Sequence, residues 1–126
     1  MSAWTPAELD RIGRAEEVHV ASRRPDGSVR PFATIWLVRV GDSLYVRSAH
    51  GHDNLWFQRA LHAGHGRIRA GGVERDVSFE VPGPAVSSDV TAAYHVKYDR
   101  YGPAIVGTVV SAEAVGSTLR VVPAQA

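Results

Sequence analysis

The chain has 126 residues, of which 14 are basic and 13 are acidic, and it contains no cysteine. This length predicts one domain over residues 1–126, and the composition is that of a globular protein. The absence of cysteine excludes disulfide bonds, thiolate metal sites and a cysteine nucleophile. The net charge of +1 gives no indication of nucleic-acid binding.

Two further features concern location. The first residues show no basic region followed by an apolar run, so no signal peptide is predicted. No stretch reaches the roughly 18 apolar residues of a membrane span. The sequence therefore predicts a cytoplasmic protein.

The first predicted element is a short helix. Thr5 is placed to cap it, Pro6 suits its first position, and Glu8 stands three residues after the cap. We expect this helix to end at Gly13, because glycine is a frequent helix terminator.

A hairpin follows the helix. Residues 17–22 alternate as a strand does, and Pro25 with Asp26-Gly27 favours a tight reversal. The next strand is predicted to run without a break from Val29 to Val40. Both of its faces are largely apolar, which is typical of a strand covered on both sides. We expect a second subunit to supply part of that cover, and hence a homodimer.

The third strand leads into a polar corner. Residues 43–48 form the strand, 49–53 a loop, and Asn54 opens a helix that runs to Ala63. The corner combines an arginine, a serine, two histidines and free helix N–H groups, which suits an anion such as phosphate. The alternative is an ordinary surface turn before an amphipathic helix.

The second half of the chain gives weaker signals. Residues 64–70 and 73–81 predict a second hairpin with one solvated face, and residues 87–100 predict a helix capped by a serine. The apolar run 104–112 is left open as a further strand, whereas 119–122 is predicted to close the sheet. Together these elements predict a mainly β (α+β) protein: an antiparallel split β-barrel of about six strands with three flanking helices.

Five segments carry a family resemblance: Arg24–Pro31, Thr34–Trp36, Leu44–Ser48, Arg47–Arg59 followed by Gly64–Val73, and Ala92–Tyr98. They resemble the split β-barrel flavin-binding superfamily, which includes pyridoxamine-phosphate-oxidase-like enzymes and the deazaflavin-dependent reductases. The last of the five resembles a small bacterial branch of that superfamily.

The resemblance implies a homodimeric oxidoreductase that uses FMN or a deazaflavin coenzyme on a small organic molecule. It implies that the cofactor ring lies at the subunit interface against Thr34, Ile35 and Trp36. On the phosphate side it implies Arg47, Ser48, His50, His52 and Asn54. The family often has a lysine near this corner, but here the only lysine is Lys97. His52 or Arg59 would then supply the charge, and the alternative is a cofactor-free binding protein or non-redox enzyme on the same barrel.

Among the residues of the predicted phosphate site, Arg47 is the one that we most expect to bind the phosphate. As an anion ligand it should be exposed in the ligand-free protein, so that Arg47→Ala would weaken binding and leave stability nearly unchanged. The other reading of Arg47 is an exposed strand arginine without a ligand.

Other site chemistries find little support. His50, His52, His62 and His65 could converge on zinc, but their spacing matches no zinc signature, and we predict no metal site. Trp36 and Trp56 could stack on a ring or pack in the core. No Ser-His-Asp order or pair of carboxylates indicates a hydrolase, and the catalytic residues stay unassigned.

Overall fold

The structure is a computed structural model that describes residues 3–49 and 51–124, without the side chain of residue 52. Within these residues the helices are α1 Pro6–Arg14, α2 Leu55–Ala63, α3 Ser87–Tyr98, α4 Pro103–Val110 and α5 Ala112–Val115. The strands are β1 Val18–Ser22, β2 Ala33–Ile35, β3 Leu37–Val40, β4 Ser43–Val46, β5 His65–Ala70, β6 Val73–Glu80 and β7 Leu119–Pro123.

All seven strands belong to one antiparallel sheet in the order β2-β1-β5-β6-β7-β4-β3. The strands β2 and β3 lie at opposite edges, although only Trp36 separates them in the chain. One continuous segment therefore supplies both edges, and the sheet curls into a nearly closed barrel. The predicted antiparallel split barrel is confirmed. It has seven strands because the long second strand breaks at Trp36, where an unbroken strand was expected.

The local signals near the N-terminus are confirmed in detail. The backbone N–H of Glu8 donates to Thr5 Oγ1 at 3.1 Å, and the Glu8 carboxylate accepts from the Thr5 N–H at 2.9 Å. Helix α1 passes through Gly13 and ends at Arg14, one residue later than expected. It buries Leu9 and Ile12 against the barrel.

Both predicted hairpins are present. The first joins β1 to β2, and the second joins β5 to β6. The outer face of the second hairpin is solvated, as expected, and it carries ion pairs from Arg67 to Glu74 at 2.7 Å and to Asp76 at 2.8 Å.

Two apolar clusters hold the fold together. The larger fills the barrel with buried residues of β1 to β7, α1 and α2. The smaller lies outside the barrel and joins Val38 and Tyr45 to buried residues of α3 and α4. Around Val38 the second apolar face of the predicted long strand is thus covered by helices of the same chain. Toward the start of that strand, Thr34 is exposed and Phe32 is half-buried. No partner subunit is needed at Val38, and the homodimer remains a prediction.

The C-terminal half differs most from expectation. The apolar run 104–112 lies mostly in helix α4, and with α5 it raises the number of helices from the three expected to five in the described residues. Helix α3 follows a short turn at Pro84–Val86, and neither Ser87 nor Ser88 caps it. The predicted closing strand is confirmed as β7, which pairs with both β4 and β6.

In the described ranges 3–49 and 51–124, no helix has the length and apolar character needed to cross a membrane.

Candidate functional site

A pocket of about 350 Å³ opens beside the break between β2 and β3. This volume lies in the range of small-molecule sites, roughly 300–1,000 Å³. Five of the predicted site residues line it: Thr34, Ile35, Trp36, Arg47 and Asn54. Trp56, which the sequence offered as a ring-stacking or core residue, also lines it. The sequence did not point to the lining residues Glu17, Ile105, Thr108 and Val109. We call this the Trp36 pocket.

Aromatic stacking fixes one wall of the Trp36 pocket. The half-buried ring of Trp36 stacks on Tyr98, with ring centroids 4.0 Å apart and an interplanar angle of 7°. Tyr101 approaches the same ring at 5.4 Å. Trp36 therefore packs against the smaller apolar cluster and also lines the pocket. Its packing in the core is confirmed in part, while its stacking on a cofactor ring stays a prediction.

Arg47 occupies a different environment from the one predicted. Its side chain is 1% exposed, and every guanidinium nitrogen donates to another part of the chain. Nε bonds Thr118 Oγ1 at 2.9 Å, while Nη1 bonds Thr91 Oγ1 at 2.8 Å and the Val109 carbonyl at 3.1 Å. Nη2 bonds the Ser87 carbonyl at 3.0 Å. Both the predicted exposure of Arg47 and the exposed-strand alternative are wrong.

Arg47 has a structural role inside the fold. Burial lowers the pKa of the Arg47 guanidinium, opposed in part by the nearby Tyr94 phenol. The Tyr94 hydroxyl accepts from the Arg47 backbone N–H and donates to the Trp36 carbonyl, both at 3.0 Å. Arg47 thereby ties β4 to α3 and α4, and Tyr94 links it to the wall of the Trp36 pocket.

Ser48 and Asn54 also stabilise the conformation of the corner. Ser48 is fully buried, and its N–H donates to Ser117 Oγ at 2.9 Å. The Asn54 amide donates to Ser48 Oγ at 2.8 Å and to the Ala49 carbonyl. Asn54 stands at the N-cap position directly before α2, as predicted, but its side chain bridges the corner and does not cap the helix.

The predicted histidines of the corner cannot be placed. His50 lies outside the described residues, and so does the side chain of His52. Among the side chains that the structure describes, no group of three or more His, Cys, Asp or Glu residues could hold a metal ion.

Arg59, the last predicted site residue, lies in a basic cleft of about 590 Å³ between α2 and the first hairpin turn. We define this basic cleft by its charged and imidazole side chains: Arg23, Arg24, Arg30, Arg59, His62 and His65. Arg23 donates to the Gly27 carbonyl and to the Asp76 carboxylate. Arg24 donates to Ser28 Oγ and to the Val29 carbonyl.

Arg30 is the notable member of the basic cleft. Its Nε is buried and has no hydrogen-bond partner among the residues that the structure describes. A buried donor without a partner is costly, roughly 1–3 kcal/mol, and in a cationic cleft an anion would satisfy it. The sequence does not single out Arg30, because nothing in the local pattern separates it from Arg23 and Arg24.

The Trp36 pocket and the basic cleft belong to one continuous surface. A smaller depression between them shares Trp56 with the pocket, and it shares Arg30 and Arg59 with the cleft. An elongated ligand could therefore lie with an apolar end near Trp36 and an anionic end near Arg30.

Two solved structures share this architecture. One is the conserved hypothetical protein Rv2991 from Mycobacterium tuberculosis, with a TM-score of 0.59, 12% identity, and coverage of 98% of this chain and 81% of that one. The other is an F420 reductase, with a TM-score of 0.55, 17% identity, and coverage of 94% and 93%. The resemblance to the split-barrel superfamily is confirmed for the fold.

Sequence comparison is more specific. No curated protein sequence gives a significant match. Residues 8–121 match the family described as "Uncharacterized protein conserved in bacteria (DUF2255)". Because that match covers most of the chain, the protein belongs to this bacterial DUF2255 family.

Proposed function

We propose that the protein is an oxidoreductase that uses FMN or a deazaflavin coenzyme to act on a small organic molecule. The observation that carries the proposal is the continuity of an aromatic-walled pocket with a cleft holding an unpartnered arginine donor. A flavin-type cofactor has matching ends: a flat ring system and a phosphate. The similarity to an F420 reductase supports the same reading.

The residues of the Trp36 pocket fit a flat ring. Ile35, Trp36, Trp56 and Ile105 offer apolar surface. Thr34 adds a hydroxyl, which lies 3.1 Å from His19 Nδ1. Mostly apolar walls with a few polar groups are typical of small-molecule sites. These residues would hold the ring and orient it, and they would exclude water from one of its faces.

The phosphate end is assigned differently from the sequence prediction. Arg47 and Ser48 already use their polar groups inside the fold, so we assign the phosphate to Arg30 and Arg59. Arginine binds phosphate through two parallel N–H bonds, which a single lysine cannot do. The missing family lysine is therefore no obstacle to phosphate binding.

The homodimer is part of this proposal. Ile105 beside the pocket and Leu55 beside the cleft are large apolar side chains that are 51% and 55% exposed. A second subunit seated over them would cover the open side of the ring. The cofactor would supply the hydride or electron transfer, while the chain binds, orients and shields it.

The test is a titration that compares FMN with riboflavin, which lacks the phosphate, and then uses the deazaflavin coenzyme. Tryptophan fluorescence reports binding, since Trp36 and Trp56 line the surface. We expect Arg30→Gln and Arg59→Gln each to weaken FMN or deazaflavin binding roughly 10- to 100-fold, the effect of losing a charge-assisted hydrogen bond. Riboflavin affinity should stay unchanged in both variants.

Arg11→Gln is the matched control, because Arg11 is an exposed arginine of α1 that lines neither the pocket nor the cleft. If the control loses affinity as much as the two variants do, the effect is one of net charge and the assignment fails. If neither cofactor binds below about millimolar, an affinity of only ~4 kcal/mol, the redox reading fails and a cofactor-free binding protein replaces it.

A further inference from the structure

A second groove lies between α1, β3 and α3, and it shares no lining residue with the Trp36 pocket or the basic cleft. Its volume is about 670 Å³. Exposed Val96 stands at its edge, and its other lining side chains include four cations and a single carboxylate. These charged residues are Arg14, Glu16, Arg39, Lys97 and Arg100.

Lys97 is the unusual member of this groove. Its half-buried ammonium donates to the Leu37 carbonyl at 2.7 Å and stands 5.0 Å from the centre of the Tyr98 ring. Within residues 3–49 and 51–124, no carboxylate lies within ion-pair distance of it. A buried charge is normally paired, because burial without a counter-ion is costly.

The contact with Leu37 does not explain the lysine. The Leu37 carbonyl already accepts a hydrogen bond from the Tyr98 hydroxyl at 3.1 Å. An apolar side chain of similar length at position 97 would still cover Tyr98 and leave this carbonyl bonded. Such a side chain would also avoid the cost of burying an ammonium group.

The arginines around Lys97 are only loosely held. Arg14 pairs with Asp10 at 3.0 Å, Arg39 approaches Asp42 at 3.9 Å, and Arg100 contacts Glu16. In the pairs of Arg14 and Arg100 both side chains are more than half exposed, whereas Arg39 is 39% exposed and its Nε also donates to the Gly41 carbonyl at 2.8 Å. Exposed ion pairs contribute little to stability. The guanidinium groups can therefore turn toward a stronger ligand, and Arg39 gives up a backbone hydrogen bond in doing so.

We propose that this groove is a binding site for a small polyanion, which carries phosphate or carboxylate groups, with Lys97 at its floor and the three arginines around it. The bound anion supplies the counter-charge that the Lys97 ammonium lacks in the fold, and the planar guanidinium groups suit either acid. The site is independent of the flavin-type cofactor, because its residues belong to other elements.

The lysine makes binding depend on pH. Burial first, and then repulsion by Arg100, lower the pKa of Lys97 to about 8, while attraction by Glu16 opposes the shift. Arg14 and Arg39 add further positive charge from α1 and β3. A bound anion favours the ammonium and raises its pKa. The contribution of Lys97 to affinity should therefore be constant below about pH 8 and fall above it, as free protein loses the proton.

The chain makes this titration simple to measure, since Lys97 is its only lysine. The rate of acetylation by an amine-reactive ester, followed by peptide mass spectrometry as pH is raised, gives the midpoint for Lys97. The N-terminal amine serves as the internal reference. Millimolar inorganic phosphate or citrate should move the Lys97 midpoint upward by roughly one unit, which corresponds to about tenfold tighter binding to the charged form. Chloride at equal ionic strength should not move it.

Two variants complete the test. Lys97→Met keeps the apolar stem and should weaken phosphate or citrate binding by about tenfold or more, measured by calorimetry on protein whose folding is verified by thermal melting. Arg11→Gln removes the same charge from α1 outside the groove and should change affinity less than twofold. A shift with phosphate alone or citrate alone supports the site and identifies the acid. An unmoved midpoint with both anions, or equal losses in the two variants, overturns it.

Discussion

Replacing Arg47 with alanine should lower the free energy of unfolding by about 3–5 kcal/mol in the ligand-free protein. The change removes four hydrogen bonds that join β4 to residues of α3, of α4 and of the loop before β7. It also leaves a cavity at a side chain that is 1% exposed. Thermal denaturation should register this as a fall of roughly 10–20 °C in Tm.

The same variant separates the two roles considered for Arg47. In our account the phosphate lies on Arg30 and Arg59. The Arg47→Ala molecules that remain folded should therefore keep the same ratio of FMN affinity to riboflavin affinity as the unchanged protein. Arg11→Gln, an exposed arginine of α1, provides the control for loss of charge and should change Tm little. If Arg47→Ala leaves the protein stable but lowers its affinity for FMN relative to riboflavin, the sequence prediction of a phosphate ligand is right. The structural role of Arg47 is then refuted.

Gly66→Ala should be more damaging still and should prevent folding or cost more than about 4 kcal/mol. Gly66 stands opposite Ser22 where β1 pairs with β5, and a Cβ there would come 1.9 Å from the Ala21 carbonyl oxygen. The clashing atoms are backbone atoms of Ala21 and Ser22 in β1, so no side-chain rotation relieves the clash. Urea denaturation or the yield of soluble protein measures the effect.

Gly107→Ala is the matched control for this clash. Gly107 lies within α4, and a Cβ there would meet no atom within 4 Å. Because alanine favours helix over glycine, the control should gain about 0.5–1 kcal/mol. Equal tolerance of alanine at positions 66 and 107 would show that β1 and β5 are not paired in this register.

The parts of the fold that sequence predicted well are those specified by neighbouring residues. The capping box of Thr5 and Glu8 and the two hairpin turns are local patterns, and each is present. The break at Trp36 was missed because the same apolar alternation fits a bent strand and a straight one. Tertiary structure decides between them: β2 pairs with β1, and β3 pairs with β4.

The candidate site shows the same difference between local patterns and features that depend on tertiary structure. Thr34, Ile35, Trp36 and Asn54 were selected by resemblance, and they meet in one pocket. The exposure of Arg47 was predicted wrongly because its partners lie 40 to 71 residues away in sequence. Arg30 was missed for the converse reason, since its place beside Arg59 depends on how the first hairpin packs near α2.

The central claim is that one continuous surface binds a flavin-type cofactor, ring at the Trp36 pocket and phosphate in the basic cleft. A crystal structure of the protein grown with FMN or the deazaflavin coenzyme tests it most directly. We expect the ring in van der Waals contact with Ile35 and Trp36, and the phosphate within hydrogen-bond distance of Arg30 and Arg59. A phosphate held by Arg47, a cofactor bound only in the groove at Lys97, or saturated crystals without bound cofactor would contradict the claim.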